Sequence, residues 1–287
     1  MMIDDAVTRR LAQITGQARS CVIPLFTSEG RRRGFLAAGS AVLIERADGL
    51  RLAVTAGHVL NGLAGLPLLT LGTNATELIK LRYDASVTSQ PPRPNRHHDR
   101  VDLASFPITD DVAAKLLTTG ASFFSGTRIR HDWNPRGNYI AIGFPHRLNK
   151  VKRRRMEQFP SGEKQASKTR KTPPYVIPNV AMLAPCSAAS DERYAEVDAD
   201  LELNFVAAFR HQDLQDTTGR PYPHPRGMSG GALFRIGTAD VLMRAGEIEL
   251  AGIGTEYHDT RGLLVAASAP ALCLLLEALG DGTTSTA

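Results

Sequence analysis

Gly227-Met-Ser-Gly-Gly231 runs directly into the apolar stretch Ala232-Leu-Phe-Arg-Ile236. Three glycines around one serine permit a tight turn whose backbone N–H groups converge on one point. An acyl-transfer nucleophile needs that arrangement: a hydroxyl on a turn, with two N–H donors aimed where an oxyanion forms. Alone, the same letters also describe an ordinary glycine turn. The rest of the chain decides between the two.

Upstream, Val54-Thr-Ala-Gly-His58-Val59 closes an apolar run and places a histidine at a strand-to-turn junction. Asp102-Leu-Ala-Ser-Phe-Pro107 opens a further apolar run, 44 residues after His58 and 127 before Ser229. These motifs, in the order His, Asp, Ser, resemble those of the chymotrypsin-like (trypsin-like) serine peptidases; subtilisins and α/β-hydrolases follow other orders. Three further segments resemble the same family. Ala38-Gly-Ser40 precedes the histidine strand, and Tyr139-Ile-Ala-Ile-Gly-Phe-Pro145 matches a Gly-aromatic-Pro turn. Leu250-Ala-Gly-Ile-Gly-Thr-Glu-Tyr257 falls where the family pairs a strand with substrate backbone. The matches span residues 20 to 275, nearly the whole chain.

The resemblance implies a role for each residue. Ser229 attacks a carbonyl carbon, and His58 takes its proton and passes it to the leaving amine. Asp102 orients the imidazole, and the N–H groups of Gly227 and Ser229 form the oxyanion hole. No cofactor or metal is implied. A histidine must be neutral to act as base, so activity is expected near or above about pH 7. Asp99 competes for the acid's place, but Asp102 heads the apolar strand and is preferred. Two departures matter. Met228 stands where members activated by cleavage carry an Asp, so control by a partner, or by an oxyanion hole ordered on substrate binding, is expected instead. Pro223 stands where trypsin-type members carry an Asp, six residues before the nucleophile. The expected specificity pocket is Pro223, His224, Arg226, Thr255 and Tyr257, with His224 and Arg226 suggesting an acidic or polar substrate residue.

Short β-rich runs broken by turn signals at regular spacing suggest antiparallel sandwiches or barrels. The resemblance narrows this to an all-β fold of two antiparallel six-stranded β-barrels with short N- and C-terminal helices. Residues 1–20 form the first helix, with Val7, Leu11, Ile14 and Ala18 on one face. Residues 21–125 form the barrel carrying His58 and Asp102. Residues 126–280 form the barrel carrying Ser229, with a closing helix from Pro270 to Leu279. Residues 281–287 are a frayed tail, and Asp110–Leu117 reads as a short helix.

At 287 residues with 43% hydrophobic residues the chain can bury a substantial core, which excludes disordered and stapled-scaffold classes. The net charge of +5 has one source. Residues 150–171 hold nine basic against two acidic side chains, a net +7 that leaves the other residues at −2. The stretch 149–175, low in apolar residues, reads as an exposed insertion. It lacks the interleaved aromatics of a nucleic-acid site, so nucleic acid is an unfavoured partner beside a protein or peptide substrate and a regulatory protein. His97-His-Asp-Arg100 reads as a solvated loop rather than a metal site. Cys21, Cys186 and Cys273 form no C-x-x-C pair and suggest neither a disulfide framework nor zinc. No secretory signal or membrane span is expected, which points to the cytoplasm. Two rival readings remain: a catalytically silent trypsin-like fold serving as a peptide-binding scaffold, and a binder of nucleic acid or an acidic partner through the basic loop.

Overall fold

The computed structural model describes residues 5–28, 35–63, 65–74, 77–89, 99–129, 137–149, 152–153, 175–176, 180–214, 221–236 and 248–282. Helix α1 (Asp5–Ser20) opens the chain and buries Ile14 and Ala18. The first sheet contains β1 (Val22–Ser28), β2 (Phe35–Glu45), β3 (Arg51–Ala56), β4 (Leu68–Thr70), β5 (Ile79–Leu81), β6 (Val87–Thr88), β7 (Leu103–Pro107) and β8 (Phe124–Ser125). Its order is β5-β4-β1-β2-β3-β7-β6, with β8 added parallel to β2. Helix α2 (Gly57–Asn61) follows β3 and α3 (Asp110–Thr118) follows β7.

The second unit contains β9 (Asn138–Gly143), β12 (Met182–Ala188), β13 (Asn204–Ala208), β14 (Ala232–Ile236), β15 (Ile248–His258) and β16 (Leu263–Ser268). These six close into a barrel. Between β9 and β12, β10 (Lys152–Arg153) and β11 (Tyr175–Val176) pair antiparallel, so the basic insertion is joined at its base; residues 154–174 lie outside the described residues. Helix α4 (Glu192–Ala195) precedes β13, and α5 (Ala269–Gly282) ends the described chain. The all-β class and the terminal helices are as expected. Six-strand closure holds for the second unit, whereas the first is an eight-stranded half-barrel. No helix among the described residues is long and apolar enough to cross a membrane.

Side chains alternate along each strand, and in β2 both sets are buried because each face is covered by a core. Ala41 and Leu43 of β2 face a core shared with α3, while Val42 and Ile44 face a second core. That second core also takes Ile140 and Ile142 of β9, Phe234 of β14, Ile14 of α1 and Leu272 of α5. It therefore joins the two sheets and both terminal helices. Phe234, fully buried, meets Phe124 of β8 with ring centroids 5.4 Å apart. Phe234→Ala should lower the stability of the whole chain by about 3–5 kcal/mol, measured by urea unfolding. Separate unfolding of one sheet with the other intact would contradict this joint core.

Candidate active site

His58 is the second residue of α2, where β3 ends. Three contacts tie this corner to Asp102. The N–H groups of Gly57 and His58 donate to the Asp102 carbonyl (2.7 Å) and Oδ1 (2.8 Å), and His58 Nδ1 lies 2.6 Å from Asp102 Oδ2. A carboxylate only accepts, so Nδ1 carries the proton and Nε2 is left as the acceptor. The His58 side chain is 45% exposed and that of Asp102 20%, so the imidazole faces solvent over a sheltered carboxylate.

Asp102 has φ +47, the left-handed region that non-glycine residues seldom occupy. Its neighbours hold it there. Asp99 Oδ1 accepts the N–H groups of Val101 (3.1 Å) and Asp102 (2.9 Å). Ser89 donates its hydroxyl to Asp99 Oδ2 (3.1 Å) and accepts the Leu103 N–H (2.8 Å). Asp99 thus supports the turn, and Asp102 meets the histidine. From the second barrel, buried Asn204 donates its Nδ2 to the Arg100 carbonyl (2.6 Å) while its Oδ1 accepts the Asp200 N–H (2.9 Å). The Arg100 guanidinium reaches Asp198 at 3.1 Å. His97 and His98 lie outside the described residues.

Ser229 occupies the turn between Gly227 (φ +96) and Gly230 (φ +83). A side chain at Gly227 would collide with the His146 ring, and one at Gly230 with the Ser40 carbonyl and Thr55 hydroxyl. The turn is bonded on both sides. Gly230 N–H donates to Gly254 O (2.7 Å) and Gly254 N–H to Gly231 O (2.8 Å), fixing the turn to β15. Ser40 of β2 donates its N–H to Ser229 O (2.8 Å), accepts Phe144 N–H at Oγ (2.9 Å), and accepts the Thr55 hydroxyl at its carbonyl (2.7 Å). His146 N–H holds the Arg226 carbonyl at 2.8 Å. A trans peptide points its C=O and N–H in opposite directions, so the Gly227 N–H is turned away from His146.

A cleft of about 680 Å³ gathers His58, Asp102, Gly227 and Ser229, and also His224, Arg226, Thr255 and Tyr257 of the expected pocket. Pro223 does not line it. A larger concavity, about 820 Å³, lies around Ile79, Lys80 and Lys115 and includes none of these residues. The cysteines are unsuited to nucleophilic work, since burial raises the Cys21 thiol and pushes Cys186 up to about 12 and Cys273 up to about 11.

No family model matches the chain, and no curated protein matches it. Solved structures match its shape. A serine endoprotease from Yersinia pestis superposes with TM-score 0.51 at 15% identity, covering 98% of this chain and 69% of that one. A thermostable serine protease, AL20, from an extremophilic microorganism gives TM-score 0.53 at 12% identity, covering 93% and 99%. The fold is chymotrypsin-like.

Reading the sequence missed Asn204, Ser89 and His146. Asn204 alone left a signal, a carboxamide inside the apolar run Leu203-Asn-Phe-Val-Ala-Ala. Asn204→Leu leaves the Arg100 carbonyl without this partner and should cost about 1–3 kcal/mol. Hydrogen exchange should rise first across residues 99–103; an unchanged exchange pattern there would show that Asn204 does not hold the turn.

His146 is displaced below its ordinary 6.5, by burial first and by the Arg226 charge after that. The fold therefore prefers the neutral ring, and below 6.5 the unfolded chain binds the extra proton. Thermal stability should fall as the pH drops through 6.5, and fall less in His146→Gln. Equal pH slopes for the two proteins would remove His146 from this role.

Proposed function

We propose that this chain is a serine endopeptidase working through His58, Asp102 and Ser229. One observation carries the reading: Asp102 engages both the ring and the backbone N–H of His58, above a cleft that Ser229 also lines. In the proposed reaction Ser229 Oγ attacks the scissile carbonyl carbon as His58 Nε2 takes the hydroxyl proton. His58 returns that proton to the departing amine nitrogen as the C–N bond breaks, leaving an ester on Ser229. Water, deprotonated by the same ring, then attacks the ester and frees the serine. Asp102 stabilises the imidazolium in both halves without taking its proton.

Gly227 and Ser229 N–H are the donors assigned to the developing oxyanion. Support comes from the peptide between Arg226 and Gly227, whose carbonyl is committed to His146. Losing one such donor in a related template costs roughly 3 kcal/mol of transition-state stabilisation. Met228, 6% exposed, packs in the interior of the second barrel beside Leu233 and Ala251. Apolar burial thus anchors the turn from below, in place of the ion pair that cleavage creates in other members. This favours an oxyanion turn already formed, with control exercised by a partner protein over access to the cleft. The substrate on this reading is a cytoplasmic protein or peptide, and the reaction calls for no cofactor.

A fluorophosphonate probe should label the native protein at Ser229, and Ser229→Ala should abolish both labelling and peptide hydrolysis, a loss of at least 1000-fold in kcat. Hydrolysis surviving in Ser229→Ala, or labelling elsewhere in the native protein, would overturn the assignment. Gly227→Ala should lose turnover through its collision with His146.

A further inference from the structure

We propose that the pocket beside Ser229 is closed by a wall of three rings, His224, Tyr257 and His211, and accepts a short, uncharged side chain at the scissile residue. The inference rests on the peptidase reading and adds to it the class of substrate.

Two segments bound the pocket. Residues 224–229 lead into the nucleophile turn, and residues 254–257 belong to β15. They are bonded together at one end, where Gly230 and Gly254 donate across to each other's segment. They meet again at the other end, where the His224 ring packs edge-on to Tyr257 at 5.6 Å and 89°. His211 stands behind both, 5.0 Å from His224 and 5.9 Å from Tyr257 between ring centres. Leu264 and Val265 of β16, each nearly buried, also line the cleft. Two segments joined at both ends bound the space between them. A long side chain entering between them meets the rings.

The rings are fixed. The Tyr257 hydroxyl lies 3.0 Å from His211 Nδ1 and donates to Phe209 O at 3.3 Å, and its ring packs on Phe209 at 5.7 Å. His224 Nδ1 accepts the Arg226 N–H at 3.0 Å, so in the neutral ring the proton is on Nε2. That nitrogen points to Asp259 at 3.7 Å. Thr255, which also faces the cleft, donates its hydroxyl to Val265 O at 3.3 Å. Each of these polar groups already has a partner within the wall. A charged substrate group inserted there would lose water and gain little.

Charge points the same way. Among the described residues, the carboxylates that a lysine or arginine would meet at the rings are already engaged: Asp259 lies 3.6 Å from His211 and 3.7 Å from His224, and Glu256, 65% exposed, pairs with His258 at 3.4 Å. An acidic residue meets histidines that Asp259 already serves, at 3.6 Å from His211 and 3.7 Å from His224. Burial also holds His211 below its ordinary value, on the neutral side. His224 and Arg226, which as letters suggest an acidic preference, are thereby separated: the first belongs to the wall, the second to the exposed rim.

The experiment uses the full chain and one peptide series, identical except for Ala, Val, Leu, Phe, Glu or Lys at the residue supplying the scissile carbonyl. Wild type should favour Ala and Val over Phe, Glu and Lys by at least tenfold in kcat/KM. Tyr257→Gly should raise Leu and Phe at least tenfold relative to Ala. His224→Ala, which removes the other ring of the bridge, should shift the ranking in the same direction and serves if Tyr257→Gly fails to fold. Fastest cleavage after Lys, Glu or Phe by wild type overturns the proposal, as does an unaltered ranking in a folded variant. Fluorophosphonate labelling of the same samples separates the two readings. Labelling with the wrong ranking overturns the pocket alone, and neither labelling nor cleavage overturns both.

Discussion

The buried Ser40 makes three hydrogen bonds, two of which join the two sheets beside the candidate site. Its N–H reaches the Ser229 carbonyl, its hydroxyl takes the Phe144 N–H, and its carbonyl takes the Thr55 hydroxyl. Ser40 and Thr55 belong to the first sheet, and Ser229 and Phe144 to the second unit. A site assembled from two sheets tolerates little sliding between them, because misplacing a reacting group by about 1 Å can lower a rate 100-fold. Buried hydrogen bonds set that register more sharply than apolar packing, which is nearly indifferent to small translations. The shared core of Val42, Phe234 and Leu272 supplies the adhesion, and Ser40 supplies the address.

Asp102 repeats the pattern with a strained backbone. A left-handed aspartate costs of order 1 kcal/mol and persists only where its surroundings over-determine it. Asp99 and Ser89 act from its own sheet, and Asn204 from the other unit, through the Arg100 carbonyl. The carboxylate that meets His58 is therefore positioned by both halves of the fold.

Motif letters carried much of the site. His58, Asp102 and Ser229 stand in short segments that carry the resemblance only when read together, and each falls at a strand end as its flanking pattern suggests. The strands β1, β2 and β3 were legible as apolar runs. Strand β12 was not, because Pro185 interrupts it; it is tolerated where β12 bonds only to β9, since pairing with β13 involves Ser187 and Ala188. Strand β16 was hidden for another reason. Gly262 to Leu276 is charge-free throughout, so no periodicity separates the buried strand from the helix after it. The contributions of Ser89 and His146 were invisible, and the carboxamide of Asn204 showed itself without its partner, because each acts on backbone atoms distant in sequence. No pattern along a chain records which carbonyl a carboxamide will meet.

The ladder of β10 and β11 sets Lys152 opposite Val176 and Arg153 opposite Tyr175. An insertion whose entry and exit are adjacent is topologically separable from the body that carries it. Doubling such a loop's length adds only about 0.6 kcal/mol of closure entropy, and neither β9 nor β12 need shift to accommodate it. The length and charge of this segment can therefore drift in evolution almost independently of the two sheets. The chain's basic isoelectric point is thus a heritable trait of one inserted segment, whose net charge is free to change sign while the two sheets stay the same.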